Sequence, residues 1–260
     1  MLKTRVITAL LGIPLVLAVL YLGGVIWIVF FSLLAALALF EFFAMMKAKN
    51  FTPLMLPGFL LLMVILFYQL QPAFLTHAIL FIVTIIVLCF VLLYPRITLA
   101  DVAISLFGVF YIGFLFHFVI QMGKLPDAFT IVLLAFVLTW ASDTGGYLFG
   151  KAWGKHKMVP SLSPGKTWEG ALGSVLLSTF ISLAFFHFYA VDKYNLAYAL
   201  LLGIMASVIA QLGDLFMSGI KRFFGVKDSG KIIPGHGGVL DRFDSFILVA
   251  PWIFIVFSWL

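Results

Sequence analysis

The sequence has very little cysteine and very little charge. Its single cysteine, Cys89, excludes a disulfide within the chain, and its position inside an apolar run is typical of a small buried side chain. Only 10% of the 260 residues are charged, whereas 64% are hydrophobic, and the mean hydropathy is +1.22. Since a water-soluble domain cannot bury so much apolar surface, the composition excludes that class and indicates a membrane protein.

Apolar runs long enough to cross a bilayer recur along the chain. A helix needs roughly 20 residues to span a hydrocarbon core of about 30 Å. We identify nine such runs, approximately at 6–22, 24–46, 53–70, 73–94, 100–122, 128–149, 170–190, 196–217 and 243–259. The sequence therefore predicts an all-α, polytopic integral membrane protein with about nine transmembrane helices. Prolines and glycines near the first three runs leave eight or ten spans open.

Acidic side chains are scarce in the first half of the chain. Residues 1–130 contain Glu41, Asp101 and Asp127 and no other carboxylate side chain. We therefore predict two regions. Residues 1–125 are expected to form a lipid-facing scaffold of membrane helices, and residues 126–260 to form catalytic membrane helices with cytoplasmic site loops.

Basic residues are distributed unevenly between the predicted loops. With nine spans and a cytoplasmic N-terminus, fourteen of the sixteen Lys and Arg residues lie in cytoplasmic loops, and only Lys124 and Lys193 lie outside. This is the positive-inside pattern. Topology and attraction to anionic lipid account for the net charge of +6, so no nucleic-acid partner is expected.

The eighth run carries a polar stripe. Ser207, Gln211, Asp214 and Ser218 follow at steps of four, three and four, which places them on one helix face. A carboxylate at the bilayer centre costs about 2.5 to 3.5 kcal/mol and normally faces a functional cavity. The structural alternative is a hydrogen-bonded seam between helices that includes a paired aspartate.

Further carboxylates are expected at the same depth. The sixth run ends with Ser142 and Asp143, and helical rise places Asp143 and Asp214 about 22 and 25 Å along spans that run in the same direction. The glycine-rich segment, residues 227–245, reads "KDSGKIIPGHGGVLDRFDS" and joins the eighth run to the ninth on the cytoplasmic side. It adds Asp241 and Asp244, so we expect three or four carboxylates to converge.

Cations and glycines accompany these carboxylates. The basic residues in the adjoining loops are Lys151, Lys155, Lys157, Lys166, Lys221, Arg222, Lys227, Lys231 and Arg242. Carboxylates among many cations fit Mg²⁺ and a substrate with several phosphates. Glycines in "PGHGG" and "SPGKT" allow backbone N–H groups to approach an anion. His236 is a candidate site residue, but no second His or Cys stands at ligand spacing near it, which disfavours zinc.

The motifs resemble those of a known family. The segment from Ser218 to Asp244 is similar to the signature of the phosphatidate cytidylyltransferases, or CDP-diacylglycerol synthases. The matching positions are Ser218, Lys221, Arg222, Lys227, Asp228, Gly230, Pro234, His236, Gly237, Gly238, Asp241, Arg242 and Asp244. "SDTGGYLFGK", "SPGKTWEG" and "QLGD" resemble the other motifs of the family in the expected order, and the resemblance covers roughly residues 130–250.

The resemblance implies transfer of CMP from CTP to phosphatidate, which yields CDP-diacylglycerol and pyrophosphate for phospholipid biosynthesis. It also implies a homodimer, and we expect the protein in the bacterial inner membrane. The distribution of basic residues predicts that the N-terminus and the active site are cytoplasmic. Asp214 and Asp241 are expected to hold Mg²⁺, with or without a second cation, and Lys221 and Asp244 to join them in catalysis. The expected substrate-binding residues are Ser142, Asp143, Lys166, Thr167, Ser218, Arg222, Lys227, Asp228, Lys231, His236, Gly237, Gly238 and Arg242.

Two other functions remain open from the sequence. A CTP-dependent polyprenol kinase also joins a cytidine nucleotide to a lipid, but its neutral hydroxyl nucleophile should require a base. An ion-coupled transporter would use Asp143 and Asp214 as coupling sites, but transport does not explain a dense glycine-rich segment outside the spans.

Overall fold

The computed structural model describes residues 2–68, 72–189, 195–235 and 237–259. Within these ranges the chain forms nine α-helices and two short strands. They are α1 (Leu2–Leu22), α2 (Gly24–Ala48), α3 (Met55–Phe67), α4 (Pro72–Leu93), α5 (Leu99–Met122), α6 (Ala128–Trp153), β1 (Lys157–Val159), β2 (Ser163–Thr167), α7 (Trp168–Tyr189), α8 (Leu196–Phe224) and α9 (Leu240–Trp259). The predicted all-α class is confirmed. The chain also forms an antiparallel pair of strands, β1 and β2, which the sequence did not predict.

In the part of the chain that the structure describes, six helices are long and apolar enough to cross a membrane. They are α2, α4 from Ala73, α5, α6, α7 as far as Phe188, and α8. Large apolar side chains on α4 are exposed, among them Phe81 at 68% and Leu92 at 69%, as expected of a surface that faces lipid. The chain is therefore a polytopic integral membrane protein, and the count of nine spans remains a prediction.

Of the glycines and prolines near the first three helices, Gly23 separates two helices, whereas Pro14 and Pro57 lie within helices. Gly23 separates α1 from α2 with a φ of 57°, a conformation that glycine adopts without a steric penalty. Pro57 lies in the first turn of α3, where a missing N–H costs nothing. Pro14 lies inside α1, which continues through it to Leu22.

The chain divides into two compact units. Unit 1 contains Met1–Gln121 and Phe223–Arg242, and unit 2 contains Met122–Arg222 and Phe243–Leu260. Most of the glycine-rich segment, which the sequence analysis assigned to the second region, thus packs within the unit formed by the N-terminal helices.

The core of unit 1 is built around the aromatic residues of α2. Phe42 and Phe43 are fully buried, and Phe42 makes an edge-to-face contact with Phe224 at a centroid distance of 5.5 Å. The end of α2 is tied to the same region, since Lys49 Nζ donates to the carbonyl of Phe223 at 2.6 Å. These contacts hold the C-terminal end of α8, just before the glycine-rich segment, against α2.

In unit 2 the helices α6 and α7 pack closely through glycines. A Cβ at Gly145 would collide with the backbone carbonyl of Gly173, and a Cβ at Gly173 would collide with Phe149. Small residues at this interface let the two backbones approach, as is common between membrane helices. The glycines of "SDTGGYLFG" therefore serve helix packing, which positions Ser142 and Asp143 on α6.

Candidate active site

The glycine-rich segment holds the carboxylate of Asp241 in unit 1. Asp241 Oδ2 accepts hydrogen bonds from the backbone N–H of Ser229 at 2.8 Å, from that of Gly238 at 3.0 Å and from Ser229 Oγ at 3.0 Å. Asp241 lies in the first turn of α9, where a carboxylate is also favoured by the helix dipole. The segment thus determines the orientation of this predicted metal ligand.

A tight turn shapes the tip of the same segment. Ile233 and Gly237 exchange two backbone hydrogen bonds at 2.9 and 3.1 Å, and Gly237 has a φ of 92°. The turn contacts α1, because Thr8 Oγ1 donates to the carbonyl of Pro234 at 2.9 Å. A Cβ at Gly237 would lie 2.9 Å from Asp241 Oδ2, so the glycine also makes room for that carboxylate.

The other predicted residues of the segment differ in exposure. Gly238 is buried. The exposed ones are Lys227, Asp228, Lys231 and Arg242, and the three cations among them can contact a soluble anion. His236, a predicted substrate-binding residue, lies outside the described residues.

Glu41 of α2 also contacts this segment, although the sequence did not predict it as a site residue. It is 2% exposed and accepts hydrogen bonds from Val239 N at 2.9 Å, Leu240 N at 3.0 Å and Ser229 Oγ at 3.1 Å. The available signal was a lone carboxylate within an apolar span, which is costly unless it is satisfied or functional.

Part of the polar stripe of α8 forms a hydrogen-bonded seam in unit 2. Ser142 and Ser207 hydroxyls are 3.0 Å apart, and Gln211 Nε2 donates to Ser207 Oγ at 3.2 Å. Ser174 Oγ of α7 donates to the carbonyl of Ser142 at 2.7 Å. Ser142, predicted to bind substrate, is 1% exposed. This part of the stripe is therefore a hydrogen-bonded seam between helices, which was the structural alternative to a substrate site.

Asp214 and Ser218 follow on α8 beyond this seam. Asp214 Oδ2 lies 2.7 Å from Lys166 Nζ, and the two side chains are 36% and 23% exposed. Lys166 belongs to β2, so the strand pair reaches back to α8, and Arg222 Nε donates to the carbonyl of Leu162 at 3.4 Å in the turn of that pair. Ser218 is half-buried. The structure thus joins two predicted site residues, a lysine and a carboxylate, in an ion pair.

The base of the strand pair is fixed by side chains at the start of α7. Thr167 is 5% exposed, and its Oγ1 accepts the N–H of Gly170 at 3.1 Å, which caps the helix. Glu169 accepts the N–H groups of Lys155 and His156 at 3.1 and 3.2 Å, and also pairs with His156 Nδ1 at 2.6 Å. Thr167, predicted to bind substrate, thus has a local structural role.

Asp244 is the most buried of the predicted catalytic carboxylates. It is 8% exposed, and its Oδ1 accepts the N–H of Ser245 at 2.7 Å. The charges of Asp214, Lys221 and Asp143 lie close enough to act on it. In unit 2, Asp143 of α6 and both Asp214 and Lys221 of α8 are therefore within electrostatic range of Asp244.

The donor chemistry of these side chains fits a magnesium ion. In the described part of the chain, no three His, Cys, Asp or Glu side chains form a group that could hold a metal ion. Mg²⁺ does not require such a group, because it usually binds through one or two carboxylates, substrate phosphates and water. Asp214 and Asp241 supply carboxylate oxygens of the kind that this ion prefers.

Comparison with known proteins identifies similar sequences over the full length. Residues 3–260 match the model of the cytidylyltransferase family. The chain is 39% identical to the phosphatidate cytidylyltransferase of Staphylococcus aureus strain COL over 263 residues, with 98% of each chain covered. It is 38% identical to proteins of the same name from Staphylococcus epidermidis strain RP62A and Staphylococcus haemolyticus strain JCSC1435, again over 98% of each chain. The chain therefore belongs to the cytidylyltransferase family.

Proposed function

We propose that the chain is a phosphatidate cytidylyltransferase that transfers CMP from CTP to phosphatidate and forms CDP-diacylglycerol and pyrophosphate. The observation that carries the proposal is the 39% identity, over 98% of both chains, to a protein of that name. The site supports it, because carboxylates and lysines lie together in a membrane protein that also carries an exposed, cationic glycine-rich segment.

The main obstacle to the proposed reaction is electrostatic repulsion between its two anionic substrates. A phosphate oxygen of phosphatidate attacks the α-phosphorus of CTP, a new P–O bond forms, and the bond to the β-phosphate breaks as pyrophosphate leaves. The second pKa of a phosphomonoester is about 6, so the nucleophile is already an anion and needs no strong base. The site must instead neutralise and align two anionic substrates.

The chain's own residues can provide this neutralisation. Lys166 is 23% exposed, so it can turn from Asp214 towards a phosphate oxygen without becoming a deeply buried charge. Lys221, Arg222, Lys227, Lys231 and Arg242 would add positive charge around the phosphates. Asp214 and Asp241 are the residues we assign to Mg²⁺, and Asp244 would act beside them. Mg²⁺, with or without a second cation, would stabilise the developing charge on the leaving pyrophosphate.

The proposal includes a location. Because fourteen of the sixteen basic residues fall on one side of the predicted topology, the N-terminus and the site loops are placed in the cytoplasm, where CTP is available. Phosphatidate would enter laterally from the bacterial inner membrane. The family resemblance further suggests a homodimer.

Purified protein incubated with Mg²⁺ and CTP labelled at the α or the γ phosphorus tests the proposal. Phosphatidate should acquire the α label and not the γ label, with release of labelled pyrophosphate from the γ form. Transfer of the γ label to an added polyprenol would instead identify a lipid kinase. Absence of both transfers, with ion flux in proteoliposomes, would identify a transporter.

A further inference from the structure

Glu41 connects the membrane helices to the glycine-rich segment. It stands on α2, in a candidate membrane span, and it is almost completely buried at 2% exposure. Both of its carboxylate oxygens accept hydrogen bonds from residues 188 to 199 positions away in the sequence. A buried carboxylate with three donors is satisfied, so its charge is held in one position.

Two of these donors are backbone groups at the start of α9. The N–H groups of Val239 and Leu240 belong to the end of a helix that has no intrahelical acceptor for them. Glu41 Oε1 accepts the first at 2.9 Å and Oε2 accepts the second at 3.0 Å. Glu41 therefore caps α9 from another helix, one residue before Asp241.

The third donor links Glu41 to Asp241. Ser229 Oγ lies 3.1 Å from Glu41 Oε2 and 3.0 Å from Asp241 Oδ2. A hydroxyl has one proton and can donate it to only one carboxylate at a time. Asp241 also accepts the N–H groups of Ser229 and Gly238, so the hydroxyl can serve Glu41 while Asp241 stays in place.

Two glycines of the segment leave space for the Glu41 carboxylate. A Cβ at Gly230 would lie 2.5 Å from Glu41 Oε1, and a Cβ at Gly238 would collide with Glu41 and with Ser229 Oγ. Neither glycine has a positive φ, so close approach, rather than backbone conformation, requires a glycine there. Gly230 and Gly238 are thus required because any larger residue would collide with the Glu41 side chain.

We propose that Glu41 is a positioning residue for the reaction, which holds Ser229 and the first turn of α9 so that the Asp241 carboxylate is presented in a single orientation. The inference rests on the proposed function and assigns a role to a side chain from the N-terminal half of the chain. Glu41 itself is covered by the segment and acts through Asp241.

The substitution Glu41→Gln tests this role. The amide nitrogen would face a backbone or hydroxyl donor, so one hydrogen bond is lost while the side-chain volume is kept. We expect kcat for CDP-diacylglycerol formation to fall about 10- to 100-fold, as for other supporting residues, with KM for CTP changed by less than about twofold. Hydrogen exchange in peptides covering residues 228–241 should accelerate about tenfold or more.

Asp101→Asn provides a matched control. Asp101 is also buried in unit 1, at 4% exposure, and accepts bonds from Thr52 N, Thr98 N and Thr98 Oγ1 at 2.6, 2.7 and 2.6 Å. Replacing the Asp101 carboxylate by an amide should lower the thermal stability of the protein. It should leave kcat per folded molecule and hydrogen exchange in residues 228–241 unchanged. If Glu41→Gln behaves in the same way, Glu41 is merely structural and the inference is wrong.

Two further variants cover the case in which Glu41→Gln does not fold. Ser229→Ala removes the hydroxyl link, and Gly230→Ala pushes a methyl group against the Glu41 carboxylate. Both should lower kcat about three- to tenfold with little change in KM for CTP; unchanged kcat in both would overturn the inference. An inactive wild-type protein would instead refute the proposed function, which the labelling assay detects separately.

Discussion

The two aspartates that we propose as ligands of Mg²⁺ are held in chemically different ways. Asp214 is paired with the ammonium of Lys166 at 2.7 Å, and both side chains are partly exposed. Asp241 is held mainly by backbone N–H groups and by the Ser229 hydroxyl. Because a partly exposed pair contributes little to stability, and because an asparagine oxygen can still accept backbone donors, neither negative charge is required for folding.

Asp214→Asn and Asp241→Asn are therefore expected to purify with normal yield and melting temperature and to lose roughly 100-fold or more of their activity. If both carboxylates serve one cation, the double variant should be scarcely less active than either single variant. Initial rates over a Mg²⁺ titration, together with thermal unfolding of the three variants, measure this.

Loss of stability, in place of loss of activity, would give these carboxylates a structural role. If activity falls only in proportion to the amount of folded protein, the carboxylates stabilise the fold and do not take part in the reaction. Full activity in either single variant would end the assignment of that residue to the metal.

At the scale of elements, α6 and α7 depend on glycine contacts. A side chain at Gly145 would meet the backbone of Gly173, which cannot move without separating the helices. In contrast, a side chain at Gly12 of α1 would meet nothing within 4 Å. The two glycines therefore differ in the packing that surrounds them, although both are helical.

Gly145→Ala should destabilise the protein by about 1–3 kcal/mol through overpacking, which corresponds to a decrease of several degrees in melting temperature. Gly12→Ala is the control, and it should leave the melting temperature unchanged or slightly raised, since alanine is the better helix former. Thermal unfolding in one detergent compares them. Equal effects would show that close packing of α6 on α7 is not what requires Gly145.

At the scale of the whole molecule, charge and apolar length together suggest how the chain lies in the membrane. The basic residues that the topology places inside include those of the strand pair, whereas Lys124, between α5 and α6, is placed outside. One span, α6, separates Lys124 from Lys157 of β1. Orientation can therefore be tested across a single helix.

In a Cys89→Ser background, cysteines at positions 124 and 157 should react with a membrane-impermeant maleimide from opposite faces. In intact cells position 124 should be labelled, and position 157 should be labelled only after the membrane is permeabilised. Both exposed positions should react fully in detergent, which controls for reactivity. Labelling of both in intact cells would contradict the predicted orientation.

Sequence alone determined the class of the protein, most helices and the family. Membrane helices are recognisable because hydrophobicity over about 20 residues is a local property. The predicted run at 100–122 differs from α5 by one residue at its start. The family motifs are also local, since their residues lie within short stretches. The sequence likewise predicted equal depth for Asp143 and Asp214, because depth along a helix follows from helical rise alone. It predicted Asp241 and Asp244 near them because the segment that carries these two residues joins the eighth run to the ninth on the same side.

Only the tertiary structure decided which partner each polar side chain has. It paired Lys166 with Asp214, placed Thr167 at a helix cap and Ser142 in a seam, and brought Glu41 to residues 188 to 199 positions away. These outcomes depend on how helices pack, and packing is set by contacts between distant segments. A lone glutamate in an apolar span looks the same in sequence whether it is paired or not, and two of the three donors to Glu41 are backbone N–H groups, which every residue except proline carries.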